Sequence, residues 1–165
     1  MNIHEGGCSC GEIKYLLLDN PIFTHACHCS LCKKISGSAF IINSLLESWK
    51  FSLEAGKLVN CVGPSGSKKK HIVKRCSNCF EPIVSFFGPT EYLAVVKVGS
   101  LTEPNRFPPQ AHVFVCQKLD WLMLDERIPK YKNFYDFERV LPSASYDRLK
   151  LVRAKQRSFL KNHVM

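Results

Sequence analysis

Seven of the nine cysteines fall in three tight groups, Cys8-x-Cys10, Cys27-x-Cys29-x-x-Cys32 and Cys76-x-x-Cys79, and any fold open to this chain has to satisfy them. Thiols at these spacings read as metal ligands. An odd cysteine count, with no basic segment leading into an apolar one near Met1, argues against a disulfide framework and for a reducing compartment. Tetrahedral Zn–S bonds of about 2.3 Å place two sulfurs roughly 3.8 Å apart, whereas side chains two residues apart on a strand stand about 7 Å apart. The backbone must therefore bend at each pair. Gly6, Gly7 and Gly11 offer permissive φ angles around the first pair, and Asn78 tolerates the left-handed region inside the second. Each pair is half a tetrahedral site. Joining Cys8 and Cys10 to Cys76 and Cys79 gives one closed, structural zinc that ties the start of the chain to its middle.

Cys27, Cys29 and Cys32 remain, in one local loop followed by Lys33 and Lys34. Two readings stay open. In one, the trio holds a catalytic zinc whose fourth position is left for a substrate; in the other, His25, His28, Cys61 or Cys116 closes a structural site. Three thiolates around Zn²⁺ leave a net negative charge, which the adjacent lysines partly offset, helping an anionic ligand approach. His112 heads an apolar segment and is a weaker candidate for orienting a ligand. Cys61 and Cys116 lie in apolar surroundings and read by default as small buried hydrophobes. Lys68, Lys69, Lys70, Lys74 and Arg75 lead into Cys76 as a charged loop or an anion-binding edge.

The rest of the chain reads as mainly β. Short segments rich in β-formers at 12–18, 21–27, 39–45, 57–62, 71–76, 82–87, 92–98 and 112–116 are bounded by Gly, Pro, Asn and Ser, which predicts packed antiparallel sheets without repeated βαβ crossovers. After Pro142 the pattern changes. Tyr146, Leu149, Val152, Phe159 and Leu160 approximate a helical stripe, while Arg148, Lys150, Arg153, Lys155, Arg157 and Lys161 form a basic face expected to be solvated. The organisation expected is a zinc-binding domain over residues 1–142 and a basic C-terminal helix over residues 143–165, packed on the domain or extending from it. The net charge of +9 leaves nucleic acid open as a partner. No stretch is apolar enough to suggest a membrane span, so the expected location is the cytoplasm, with the nucleus also compatible.

The run Gly6, Gly7, Cys8, Ser9, Cys10, Gly11, the long block from Cys27 through Lys33, Lys34 and Gly37 to Phe40, and the Cys76 to Cys79 knuckle together resemble the glutathione-dependent formaldehyde-activating enzymes, grouped with the centromere protein V domain. Weaker echoes continue through His112, Trp121, Pro129 and Tyr131. The resemblance implies a zinc-containing fold of coiled, mainly β sheets, called Mss-four-like. It also implies a structural zinc on Cys8, Cys10, Cys76 and Cys79 and a catalytic zinc on Cys27, Cys29 and Cys32. The activity it implies is that of a carbon–sulfur lyase joining or cleaving glutathione adducts of formaldehyde, with Lys33, Lys34 or the run from Lys68 to Lys70 near the glutathione carboxylates. The alternative is a non-enzymatic zinc module binding DNA, chromatin or RNA through its basic surface. A redox or zinc-reservoir role for the Cys27 trio is a third reading. The family usually has Gly after the second knuckle cysteine, where this chain has Phe80.

Overall fold

The computed structural model describes residues 2–65 and 70–163, so Lys68 and Lys69 lie outside the described residues. Among the described residues eleven strands form two sheets: β1 (His4–Gly7), β2 (Lys14–Leu17), β3 (Phe23–Cys27), β4 (Ile41–Glu47), β5 (Phe51–Ala55), β6 (Leu58–Val62), β7 (His71–Cys76), β8 (Pro82–Phe87), β9 (Leu93–Lys97), β10 (His112–Val113) and β11 (Lys130–Tyr131). Among the described residues three α-helices and several short 3-10 turns accompany them: α1 (Ser30–Ser36), α2 (Phe137–Val140) and α3 (Ser143–His163). One sheet has the order β1-β2-β5 and the other β11-β10-β3-β4-β9-β8-β7-β6.

Alternation along the central strands builds a core on each face of the large sheet. Leu46 and Val96 turn to one cluster, with Tyr15 and Leu17 of the small sheet packed over it, whereas the neighbouring Leu45 and Val95 turn to the other. Leu149 and Val152 of α3 are buried in that second cluster beside Phe23, Val113 and Tyr135. The mainly β expectation and the C-terminal helix both hold. No helix among the described residues is long and apolar enough to cross a membrane.

Several expectations shift. Pairing is antiparallel except at one edge, where β10 runs parallel to both β3 and β11. The chain reaches that edge after a long excursion past β9, so it returns in the direction of β3. The 112–116 segment is a strand only at His112 and Val113, because Phe114 takes a left-handed φ of 55° and a 3-10 turn follows. The segment after Cys29 is a helix, not a loop. Cys29 caps α1 by accepting from the Cys32 amide, and Gly37 ends it at φ 63°.

The basic face of α3 is less solvated than its sequence implies. Arg148 donates Nε to Glu47 Oε1 at 2.7 Å and Nη2 to Oε2 at 2.5 Å, and Glu47 is 3% exposed at the end of β4. Lys50 and Asp19 complete the charge network. A carboxylate taken out of water needs such a two-pronged partner. Burial alone would raise the Glu47 carboxyl, but the Arg148 hydrogen bonds outweigh it and hold the group below its ordinary value of 4.5. The stability drawn from a carboxyl lowered on folding is complete above its unfolded value and is lost as pH falls through the folded one. Arg148→Met, which strands Glu47, is expected to reduce the unfolding free energy by about 3 kcal/mol at neutral pH. The gap from wild type should be smaller at about pH 4 than at pH 7, because the stranded carboxyl, raised by burial, already takes up its proton above 4.5. Urea denaturation of both proteins at the two pH values checks this; a gap independent of pH would remove Glu47 from the explanation.

Candidate metal centres

Two cysteine sets converge, and both match the sequence grouping. Cys8, Cys10, Cys76 and Cys79 form one and Cys27, Cys29 and Cys32 the other, each with all its sulfurs within 4.8 Å of one another. All nine cysteines are free thiols.

The first set joins two hairpins. Cys8 and Cys10 sit in the connection between β1 and β2, while Cys76 ends β7 and Cys79 lies in the turn to β8. The sulfur separations are 3.3 Å for Cys8 to Cys10 and 3.7 Å from each of these to Cys76. These are close to the roughly 3.8 Å edge of a tetrahedral zinc–thiolate site and far beyond a disulfide bond of about 2.05 Å. The amides of Ile13 and Asn78 point at the sulfurs of Cys8 and Cys76, at 3.2 and 3.4 Å. Such donors stabilise thiolate. The Cys10 thiol is lowered to about 6, first by a backbone hydrogen bond at Glu12 and then by the Cys8 thiol. Glu81 links the knuckles, accepting from the Ser9 amide at 2.7 Å and the Ser9 hydroxyl at 2.6 Å. Four sulfurs with amide donors behind them fit a structural metal ion.

Both knuckles close alike. The Gly11 amide bonds Cys8 O at 3.0 Å and the Phe80 amide bonds Cys76 O at 3.1 Å, with φ of 79° at Gly11 and 59° at Phe80. The departure at Phe80 thus leaves the turn intact and places a side chain in a backbone conformation that favours glycine. The sequence pointed to Asn78 for the left-handed position of this knuckle; the structure places the positive φ on Phe80 instead. Gly6 and Gly7 are needed for close approach, not for φ: a Cβ on Gly6 would lie 2.3 Å from the Tyr15 ring and one on Gly7 would lie 2.5 Å from Ile13 O.

The second set sits where β3 runs into α1. Cys27 is buried at the strand end, Cys29 caps the helix and Cys32 lies in its first turn. Hydrogen bonds from Cys27 and then Cys32 draw the Cys29 thiol down to about 2, while Cys27, donating to Cys29 and Cys32 and desolvated, is held well above the usual thiol range. Lys33 Nζ donates to Gln117 O at 2.6 Å and the Ser30 amide to Gln117 Oε1 at 2.8 Å, which pins the helix to the 3-10 turn after β10.

The four side chains proposed to close this site are engaged elsewhere or lie apart. His25 Nδ1 meets Tyr135 Oη at 3.0 Å, and burial followed by the nearby Lys97 pushes this imidazole down to about 3. His28 Nε2 meets His112 Nδ1 at 2.9 Å. Burial lowers both of these imidazoles, so the pair is neutral near pH 7, and His28 Nδ1 is buried without a partner. Cys116 is exposed, with its sulfur 3.8 Å from Asn133 Oδ1, and Cys61 is half-buried on the edge strand β6. Neither is the buried hydrophobe expected. Among the described residues no fourth Cys, His, Asp or Glu donor joins the trio.

Of the proposed substrate contacts, Lys34 is exposed, Lys33 is tied to Gln117, and His112 is 5% exposed behind the trio. A cation the sequence reading passed over lies on the same sheet face. His25, Asn43 and Lys97 stand opposite one another on β3, β4 and β9, one row from Cys27 opposite Ile41. The Lys97 ammonium donates to Asn43 Oδ1 at 2.8 Å and is lowered by burial, against the pull of the Cys32 and Cys27 sulfurs. Its signal was the alternation Leu93, Val95, Lys97, which places a lysine on an inward face.

The class this defines is a mainly β fold with a four-sulfur clamp and a separate three-sulfur cluster, each able to hold a metal ion. The family model for glutathione-dependent formaldehyde-activating enzymes matches residues 3–117, and the chain belongs to that family. No curated protein matches it. The family description carries glutathione-dependent formaldehyde activation at the level of the family.

Phe80 is 58% exposed, so its ring adds little packing to offset its backbone strain. Phe80→Gly is expected to raise the unfolding free energy by about 1 kcal/mol, and Phe80→Ala to give no comparable gain. Denaturation of the three proteins checks this, and equal stability for the Gly and Ala variants would refute strain at this turn.

Proposed function

We propose that the protein is a zinc-dependent carbon–sulfur lyase that joins glutathione to formaldehyde, or cleaves the adduct, at the Cys27, Cys29 and Cys32 cluster. The observation that supports this most directly is the trio itself, three converging sulfurs that no fourth protein donor among the described residues joins. In the joining direction the thiol sulfur bonds to the aldehyde carbon, the carbonyl π electrons pass to oxygen, and the thiol proton ends on that oxygen to give S-hydroxymethylglutathione. A zinc ion on these thiolates supplies positive charge that favours a thiolate at neutral pH or polarises a carbonyl oxygen. The closed Cys8, Cys10, Cys76 and Cys79 set takes the structural zinc, making two ions per chain.

The protein's own groups hold the trio in place. Lys33 and Ser30 fasten α1 to Gln117, and the neutral His28 and His112 pair fixes the loop carrying Cys27 and Cys29. Phe40 packs beside the His28 ring at 5.3 Å. The nucleic-acid alternative has less support. Arg148 and Lys150 are paired with carboxylates, and Arg153 and Lys155 sit over Phe137 and Trp49.

Cys29→Ser is expected to lower the metal content from two ions to one per chain while the fold survives on the untouched clamp. Formation of S-hydroxymethylglutathione, followed by exchange NMR, should fall to the uncatalysed rate. Full activity in a folded Cys29→Ser protein would sink the proposal.

A further inference from the structure

A cleft of about 450 Å³ opens between α1 and the ends of β8 and β9. Ile35 and Ser36 of α1 form one wall, Phe40, Ile41 and Pro82 line its apolar part, and Lys97 reaches it from β9. Ile35 follows Cys32 by one helical turn, Ile41 is paired with Cys27 across the strands, and Lys97 is near enough to the Cys32, Cys27 and Cys29 sulfurs to feel their charge, which ties the cleft to the cluster.

Lys97 is the cation of this cleft, and its bonding is incomplete. An ammonium has three N–H donors. Asn43 Oδ1 takes one of them at 2.8 Å, and among the described residues no carboxylate forms an ion pair with Lys97. A half-buried ammonium in an apolar-walled cleft, with donors in hand and no carboxylate paired to it among the described residues, is suited to an anion brought in from solution. Glu81 lines the cleft as well, but its Oε2 is already bonded to Ser9. The row of His25, Asn43 and Lys97 fixes where the ammonium stands. Asn43 is 5% exposed and accepts from it, and His25 on the far side is held by Tyr135.

Resting on the lyase proposal, we infer that Lys97 is a positioning residue that binds a carboxylate of the thiol substrate, seating its carbon skeleton in this cleft and its sulfur end towards the Cys27, Cys29 and Cys32 cluster. Lys33 is tied to Gln117, and Lys34 points from the outer side of α1, so the anion contact passes from the lysines beside the cysteines to one remote in sequence. The site selects thiols that carry a carboxylate over neutral thiols.

The test separates this role from catalysis by using ligands that cannot react. S-methylglutathione keeps both carboxylates and offers no thiol, and its diethyl ester lacks the carboxylates. By calorimetry or NMR titration, Lys97→Met should weaken S-methylglutathione binding by about 10-fold or more, the scale of one partly buried charge-assisted hydrogen bond. Lys97→Arg should restore most of it, and binding of the diester should be the same in all three proteins. Unchanged binding in Lys97→Met, equal losses for acid and ester, or no binding of S-methylglutathione to the wild type would each overturn the inference. Lys97→Gln gives a second neutral variant should the Met protein misfold. The two proposals fail separately. Lys97-dependent binding with no turnover of the glutathione–formaldehyde adduct would refute the lyase and keep the anion site, whereas turnover with a KM insensitive to Lys97 would do the reverse.

Discussion

Four thiols from two hairpins, with Cys8 and Cys76 lying 68 residues apart in sequence, meet within 4.8 Å, and the arrangement of the two sheets follows from that meeting. Thiolates at such separations repel one another strongly unless a cation lies among them, so the cluster is stable as a metal site and unfavourable as a set of bare anions. The local backbone is shaped to the same end. Register shifts fall between Lys14 and Tyr15, just past the first knuckle, and between Lys74 and Arg75, just before the second. Bulges of this kind twist a strand out of its ladder and turn its end towards a partner. The small sheet therefore lies over the large one with Tyr15 and Leu17 in the shared core, and Gly6 lets the Tyr15 ring pass where a methyl group would collide.

With the sheets set, the face of the large sheet away from the small one becomes available for chemistry. Cys27 and Val113 share its apolar cluster with Leu149 and Val152 of α3, while the row of His25, Asn43 and Lys97 crosses the same face. A polar row is unfavourable inside a sheet unless each member is satisfied. Tyr135 answers His25, and Asn43 answers Lys97 in part. The buried Glu47 farther along β4 is answered by Arg148. The basic helix thus closes a charge account opened by the sheet, which explains why its most N-terminal arginine is drawn inward.

The legible parts of the sequence were those where chemistry is local. β7 and β8 are bounded as their β-branched and aromatic composition predicts, and the cysteine groups pair as their spacing implies. α3 was visible from Leu149 and Val152 at helical spacing. β1 was missed because Gly6 and Gly7 are poor strand formers, placed there by a steric demand from Tyr15 that only the folded chain reveals. β5 was missed because Ser52, Glu54 and Ala55 carry no β signal and its strand is mostly exposed. α1 was hidden by composition: Lys33 serves Gln117, Cys32 serves the sulfur cluster and Lys34 is exposed, so no apolar stripe marks it.

The same distinction governs the candidate site. Cysteines two or three residues apart announce themselves, but a cation placed by strand register does not, since Lys97 and Cys27 are neighbours only after β3, β4 and β9 have paired. Charge close in sequence therefore proved a poor guide to charge close in space. Lys33 follows Cys32 directly, yet its ammonium is directed to Gln117 O, because a helical side chain is aimed by the helix and not by its distance along the chain. Lys97 extends from a strand whose alternation fixes it on the face of the cluster, with Asn43 beneath it as a hydrogen-bonding rest. Rigidity is what makes such a residue useful: an ammonium held by register presents one bearing to an incoming anion, whereas the exposed Lys34 presents many and loses more entropy in binding.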